Sequence, residues 1–213
     1  MVQVENLSKQ FGKVAALNNL NFEIQAGEAV ALVGRNGTGK STLLRCVVGL
    51  LQGRKGAVMV NGRSIHKRTV ADICREVAYL PQNPDDLLFA DTVADELAVT
   101  LKNHGLVDAP GSRDLLAELG LAAYADAYPR DLSVGQRQRV ALGAVTVTRP
   151  QILLLDEPTR GLDAAAKQNL VAIWQRWLAR GMGLLLVTHD RELVAQVADR
   201  VLMMEDGKVN NEL

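Results

Sequence analysis

Residues 29–41 read AVALVGRNGTGKS. The five apolar residues AVALV (29–33) suit a central strand buried on both faces. The next eight, GRNGTGKS (34–41), fit GxxxxGK[ST], and the apolar stretch STLLRCVVGL that begins with Ser41 reads as a helix. Strand, glycine-rich loop and helix, in that order, make a phosphate cradle. Gly34, Gly37 and Gly39 let backbone N–H groups turn inward around phosphate oxygens, Lys40 reaches the β- and γ-phosphates, and Ser41 ligates Mg²⁺. Arg35, Asn36, Thr38 and Thr42 count with them as nucleotide-binding positions. An incidental glycine-rich turn would lack these two flanks.

Outward from this loop, the first sixty residues read as short strands. VQVENL and LNFEI precede AVALV, and GAVMV ends at Asn61-Gly62, a hairpin signal. After VAYL (77–80), residues 92–127 show helical spacing without strands. Alternation resumes with ILLLD (152–156), a helix near 164–180, LLLVT (184–188), a helix near 191–198 and VLMME (201–205). We read one α/β domain over residues 1–213. It has a P-loop core on a parallel sheet, an N-terminal antiparallel β subdomain and a helical subdomain at roughly 85–145.

Composition narrows the functions. Lys+Arg and Asp+Glu are both 24, so no dominant attraction to nucleic acid is expected. Aromatics are only 4%, and aliphatics suit a sheet packed under helices. Cys46 and Cys74 match no metal or redox spacing, and Cys46, within LLRCVVGL, reads as a buried thiol in a reducing compartment. MVQVENLSKQFG has no secretory pattern, and no apolar run approaches the roughly 18 residues of a spanning helix. A soluble, cytoplasmic chain is expected, with any membrane role supplied by a partner.

Two further segments carry chemistry. ILLLDEP (152–158) delivers Asp156 and Glu157 to the C-terminal end of a strand, where ligands bind in open α/β sheets. Asp156 suits Mg²⁺ and Glu157 suits a general base for water, although a DE pair there is also an ordinary solvated turn. In LSVGQRQRVALGAV (132–145), Ser133 is a good N-cap and small residues leave the helix mouth open to an anion. One chain thus has two phosphate-seeking helix ends. An ordinary capped helix is the alternative for the second.

GRNGTGKS, LSVGQ, ILLLDE, the GLD of 161–163 and the His189 of LLLVTHD follow the order and spacing of ABC-type ATPases, which the whole chain resembles. The resemblance implies that two such domains sandwich two ATP molecules, each signature helix facing the other's phosphate loop. It implies that Ser133, Val134, Gly135 and Gln136 form the signature, with Ser133 and Gly135 on the partner's γ-phosphate, and that Asp163 lines the dimer seam. Glu157 would be the catalytic carboxylate and His189 the γ-phosphate sensor. Gln82 would touch Mg²⁺ and the attacking water, and Phe11 would stack on adenine. Val134 stands where the family has glycine, and Phe11 where tyrosine is commoner; the second change keeps the π-face. Taken singly, Phe11 reads as a core residue. His66 and His104 read as solvated or capping groups, and Trp174 with Trp177 as helix packing.

Three uses remain open on the residues alone: a transporter motor, a soluble ATPase of DNA repair or translation, and a regulatory module that holds ATP without turnover. The stretch from Ser41 to Leu132 is too short for the coiled coil of repair members, and no charged linker to a second cassette is present. Intact Glu157 and His189 argue against a silent module. PQNPDDLLFADTV (81–93) resembles the ATPases of energy-coupling factor transporters, with Leu87 in place of a glutamine. Those import vitamins and transition-metal ions into prokaryotes. The resemblance implies that Asp85, Asp86, Leu87, Leu88 and Phe89 face a transmembrane partner, at the cytoplasmic face of the membrane. Solvated acids beside a local core are the alternative. The chain reads as a short subunit or as one half of a fused pair.

Overall fold

The structure, a computed structural model, describes residues 1–53, 55–106 and 111–212. Among the described residues ten strands form two sheets. β1 (Val2–Phe11), β2 (Val14–Ile24), β4 (Lys55–Val60) and β5 (Arg63–Ser64) make an antiparallel sheet in the order β2-β1-β4-β5. β3 (Ala29–Val33), β6 (Val77–Leu80), β7 (Ile152–Asp156), β8 (Gly183–Val187), β9 (Arg200–Glu205) and β10 (Lys208–Glu212) make the second. Its order is β10-β9-β3-β8-β7-β6, parallel throughout except for β10 at the edge.

The aliphatic runs are continuous because both faces of this sheet are covered. Leu153 and Leu155 of β7, with Leu184 and Leu186 of β8, enter one core with the helices of the insertion. Their neighbours Ile152, Leu154, Leu185 and Val187 enter another. Alternation along a strand assigns the two sets to opposite faces. The second core lies between the sheets around α1 (Lys40–Val47), which contributes Leu43, Leu44, Cys46 and Val47. Cys46 is therefore a buried free thiol, and burial pushes it up to about 11.

Between β4 and β7 lie α2 (Val70–Cys74), α3 (Val93–Asn103), α4 (Ser112–Glu118) and α5 (Val134–Thr146). α6 (Ala164–Ala179) and α7 (Arg191–Val197) connect the last strands. The expected Asn61-Gly62 turn is present, and a second of the same kind lies at Asp206-Gly207. Asn61 and Gly62 have φ of 51° and 71°, and Asp206 and Gly207 have 46° and 71°, each joining antiparallel strands. Trp174 and Trp177 are buried, as helix packing predicts.

Candidate functional site

β3, β7 and β8 all end at one edge of the parallel sheet, and the phosphate loop, Glu157 and His189 follow those ends. A cleft of about 640 Å³ opens there. It is lined by Phe11, Asn36, Gly37, Gly39, Lys40, Ser41, Thr42, Gln82, Asp156, Glu157 and His189, together with Ala16 and Arg160. Residues from five separate segments of the sequence thus share one cavity. A larger recess of about 820 Å³ includes Gln151 and Met182, which precede β7 and β8, and so sits at the opposite strand ends. None of the predicted site residues lines it, and ligands of open α/β sheets bind at the carboxyl ends.

The loop is shaped by close backbone approach. Gly34 has φ 154°, and a Cβ there would meet the Met204 carbonyl oxygen at 2.3 Å. At Gly39, φ is 107° and a Cβ would meet the Ala16 carbonyl oxygen at the same distance. Lys40 is nearly buried, and its Nζ donates to the carbonyl oxygens of Gly34 and Arg35 at 2.7 and 3.0 Å. Thr38 Oγ1 also donates to the Arg35 oxygen, at 2.9 Å, so Gly34, Arg35 and Thr38 close the loop while the other predicted loop residues face the cleft.

Asp156 ends β7 and is buried. Burial raises its carboxyl above the ordinary value; hydrogen bonds from Ser41 and Tyr79 oppose that rise, and the adjacent Glu157 charge adds to it. Tyr79 Oη lies 3.3 Å from Asp156 Oδ2. Sequence reasoning missed this tyrosine. Its signal was a polar-tipped aromatic in an otherwise aliphatic strand beside β7. Glu157 takes a left-handed backbone, φ 48°, uncommon for a residue with a Cβ and typical of strained functional positions. Its N–H donates to the Val187 carbonyl at 2.9 Å, and its carboxylate lies 3.0 Å from His189 Nδ1. Phe11 is 49% exposed with Lys9 Nζ 5.2 Å from its ring centroid, so the core role that Phe11 suggests by itself is corrected. A ring on an edge hairpin has only one covered face.

The signature residues Ser133 to Gln136 and Asp163 stand outside this cleft. Ser133 caps α5 in a capping box: its Oγ accepts from Gln136 N at 3.3 Å and Gln136 Oε1 accepts from Ser133 N at 2.9 Å. Val134 is exposed, and Asp163 caps α6 through Ala166 N at 2.7 Å. Among the described α-helices, α2, α3, α4, α6 and α7 each carry an acid at the cap or in the first turn, whereas α1 and α5 carry none. An acid there would satisfy the positive helix end and repel phosphate. The two ends expected to meet phosphate are the two left without one.

The 81–89 segment needs a correction. Leu88 is 1% exposed and belongs to the core of the helical insertion, and Leu87 packs partly against it. The segment folds this way because Pro84–Leu87 forms a 3-10 turn and Ala90 N donates to buried Glu96 at 2.6 Å. Leu88 therefore faces inward and not toward a partner. Asp85 meets Arg137 of α5 at 3.0 Å, and Asp86 accepts from Asn83 at 2.8 Å. Phe89 is 80% exposed.

The family model for ABC transporters matches residues 17–160. The chain belongs to that family. It is an ATP-binding ABC ATPase domain, and solved structures agree. The chain is 29% identical to cbiO1 from Clostridium perfringens, described as part of the ABC transporter complex cbiONQ. The match has a TM-score of 0.87 and covers 98% of this chain and 86% of that one. A nucleotide-free ATP-binding cassette from an ABC transporter, at 23% identity and a TM-score of 0.89, shows the same fold. Among curated relatives, an ABC transporter ATP-binding protein of Streptomyces coelicolor is 45% identical over 208 residues, 97% of this chain and 37% of that protein. Another, from Pyrococcus abyssi, is 37% identical over 196 residues, 91% of this chain and 75% of that protein. The chain spans well under half the length of its Streptomyces relatives.

Proposed function

We propose that this domain hydrolyses ATP to drive import through a membrane transporter of the energy-coupling factor type, for a vitamin or transition-metal ion. It would work at the cytoplasmic face of a prokaryotic membrane. The observation that carries the ATPase part is the single cleft shared by Lys40, Ser41, Gln82, Asp156, Glu157 and His189. Lys40 exchanges its two loop carbonyls for phosphate oxygens, a charge-assisted contact. Glu157 accepts the proton of an attacking water, and His189 holds that carboxylate in place.

Mg²⁺ fits the donor set. Ser41 offers a hydroxyl, Gln82 an amide oxygen and Asp156 a carboxylate desolvated by burial. Among the described residues no cluster of three or more His, Cys, Asp or Glu could hold a metal by itself. The donors lining the cleft suit an ion held by one carboxylate, a hydroxyl, waters and substrate phosphates. Bound there, it supplies Lewis-acid charge at the phosphate oxygens.

A second cassette completes the sandwich, either another copy or another part of a longer chain. The acid-free start of α5, outside its own cleft, supports this. The transporter type rests on PQNPDDLLFADTV and on the likeness to cbiO1. Among the described residues no helix is long and apolar enough to cross a membrane, and in this reading the membrane-spanning part belongs to a partner. Phe89, with Asp86 beside it, is the surface we assign to that partner. The test is purification of the complex from native membranes with Phe89→Asp in parallel. The variant should keep ATP turnover and lose the membrane subunit. Retained assembly would remove Phe89 from the interface, and absent turnover in the unaltered, Mg²⁺-supplied complex would overturn the motor reading.

A further inference from the structure

We propose that Arg137 is a positioning residue for ATP turnover, joining the loop that carries Gln82 to the start of the signature helix through Asp85. The inference rests on the composite-site reading, in which the start of α5 serves a second nucleotide. Arg137 Nη1 donates to the Leu132 carbonyl oxygen at 2.6 Å, one residue before the Ser133 cap. Its Nε lies 3.0 Å from Asp85 Oδ1, a charge contact whose angle does not make it a hydrogen bond. One guanidinium, with its planar fork of donors, therefore grips both segments.

The path from the nucleotide cleft to this contact is short. Gln82 lines the cleft, and the next residue, Asn83, caps the 3-10 turn by accepting from Asp85 N at 3.3 Å. A second cavity of about 520 Å³ runs from Ser41, Gln82 and Asp156 to Asp85, Val134 and Arg137. The two cavities share Ser41, Gln82, Asp156 and Arg160, so the end of α5 is reached from the nucleotide without crossing the core. The pair is half open to solvent, with Asp85 at 45% and Arg137 at 21% side-chain exposure. Such pairs add little to stability. The core beneath, built on Leu88 and Val140, already fixes where the two segments meet. What the pair adds is a link between their movements.

The test is a double-mutant cycle of Asp85→Asn and Arg137→Gln in the full chain, read as kcat and KM for ATP with Mg²⁺. Each single change should lower kcat by roughly threefold to tenfold with KM unchanged, and the double variant should be no worse than either. Effects that multiply, a change confined to KM, or singles with wild-type kcat would each overturn the link. A readout free of turnover is hydrogen exchange of the wild type with and without ATP and Mg²⁺. Exchange should change in both 82–88 and 132–140, and in Arg137→Gln only in 82–88. Persistence of the second change, or its absence in the wild type, would overturn the proposal. Should Arg137→Gln fail to fold, Asp85→Asn, on the exposed turn, carries the same exchange test. Should the wild type show no turnover, the motor reading falls while the exchange measurement still decides the link.

Discussion

Among the described α-helices, the starts of α1 and α5 are the two without an acid, and they are built in opposite ways. α1 begins at Gly39 with no side-chain cap, and Lys40 is parked on the loop's own carbonyls. Its first N–H groups await an acceptor. α5 begins with a closed capping box in which Ser133 and Gln136 satisfy each other. That helix end is content in the single chain. The Ser133 hydroxyl still has its proton to donate, but only to something arriving from outside. The contrast separates an end left open in the single chain from one already closed, which fits the proposed sandwich, where a second cassette would bring its nucleotide to α5.

Replacing Glu157, the carboxylate of the cleft, should have the largest effect. Glu157→Gln keeps the shape of the cleft and removes the proton acceptor, so ATP turnover should fall by about 10²–10⁴ while ATP binding persists. With hydrolysis blocked, ATP and Mg²⁺ should convert monomer to dimer in size-exclusion chromatography with light scattering. A slow variant that stays monomeric would mean that α5 meets a different partner cassette. Undiminished turnover would remove Glu157 from the chemistry.

Lys40→Ala attacks the α1 end by itself. Losing a charged donor to the phosphates should weaken ATP binding by about 3 kcal/mol, somewhat over a hundredfold in Kd. Titration with a fluorescent ATP analogue measures it. Affinity close to wild type would mean that the loop is not the phosphate site, and the contrast between the two ends would collapse.

Much of this contrast was legible in the residues, for physical reasons. A strand buried on both faces must be a continuous apolar run, so β3, β7 and β8 announce themselves. A backbone that approaches Met204 and Ala16 to 2.3 Å of a Cβ position demands glycine at Gly34 and Gly39. The half-covered strands were harder. β1 and β2 run longer than VQVENL and LNFEI because Asn6 and Asn19, at φ 51° and 54°, accompany register shifts that break the two-residue period. β10 is a polar edge strand paired on one side only, with no pattern to show. The links Tyr79–Asp156 and Arg137–Asp85 join residues far apart in sequence, so only the fold brings them together. Leu88 was misread for a related reason: three consecutive apolar residues on a turn cannot share one face, and the middle one turned inward.

Phe11→Ala sharpens the α1 side further, by separating the phosphate grip from the base. Phe11 lines the cleft with a half-exposed ring, and stacking on a base is worth about 1–3 kcal/mol by alanine substitution. Calorimetry should show ATP and GTP weakened alike, since stacking needs only a π-face, and inorganic triphosphate unaffected. Loss for ATP alone would mean that the ring reads the base edge through its neighbours.

The smallest effect on the isolated chain belongs to Ser133→Ala, and it tests the other half of the contrast. Removing the hydroxyl opens the capping box and should cost about 1 kcal/mol, which lowers Tm by roughly 2–4 °C in a domain of this size. ATP affinity of the single chain should not change, because Ser133 is absent from the residues lining its cleft. In the proposed sandwich the α1 end would hold the chain's own phosphates, and the Ser133 hydroxyl would serve only the nucleotide of a second cassette. In the Glu157→Gln background, however, the ATP-dependent dimer should weaken by more than the cap alone explains. Ser133→Thr, which restores a hydroxyl acceptor and donor, should recover both Tm and dimer. If Ser133→Ala weakens ATP binding to the monomer, the start of α5 acts on its own nucleotide and the two ends do the same work. If the dimer is untouched while Tm falls, Ser133 is a cap and nothing more, and the absence of acid at α5 has to be explained without phosphate.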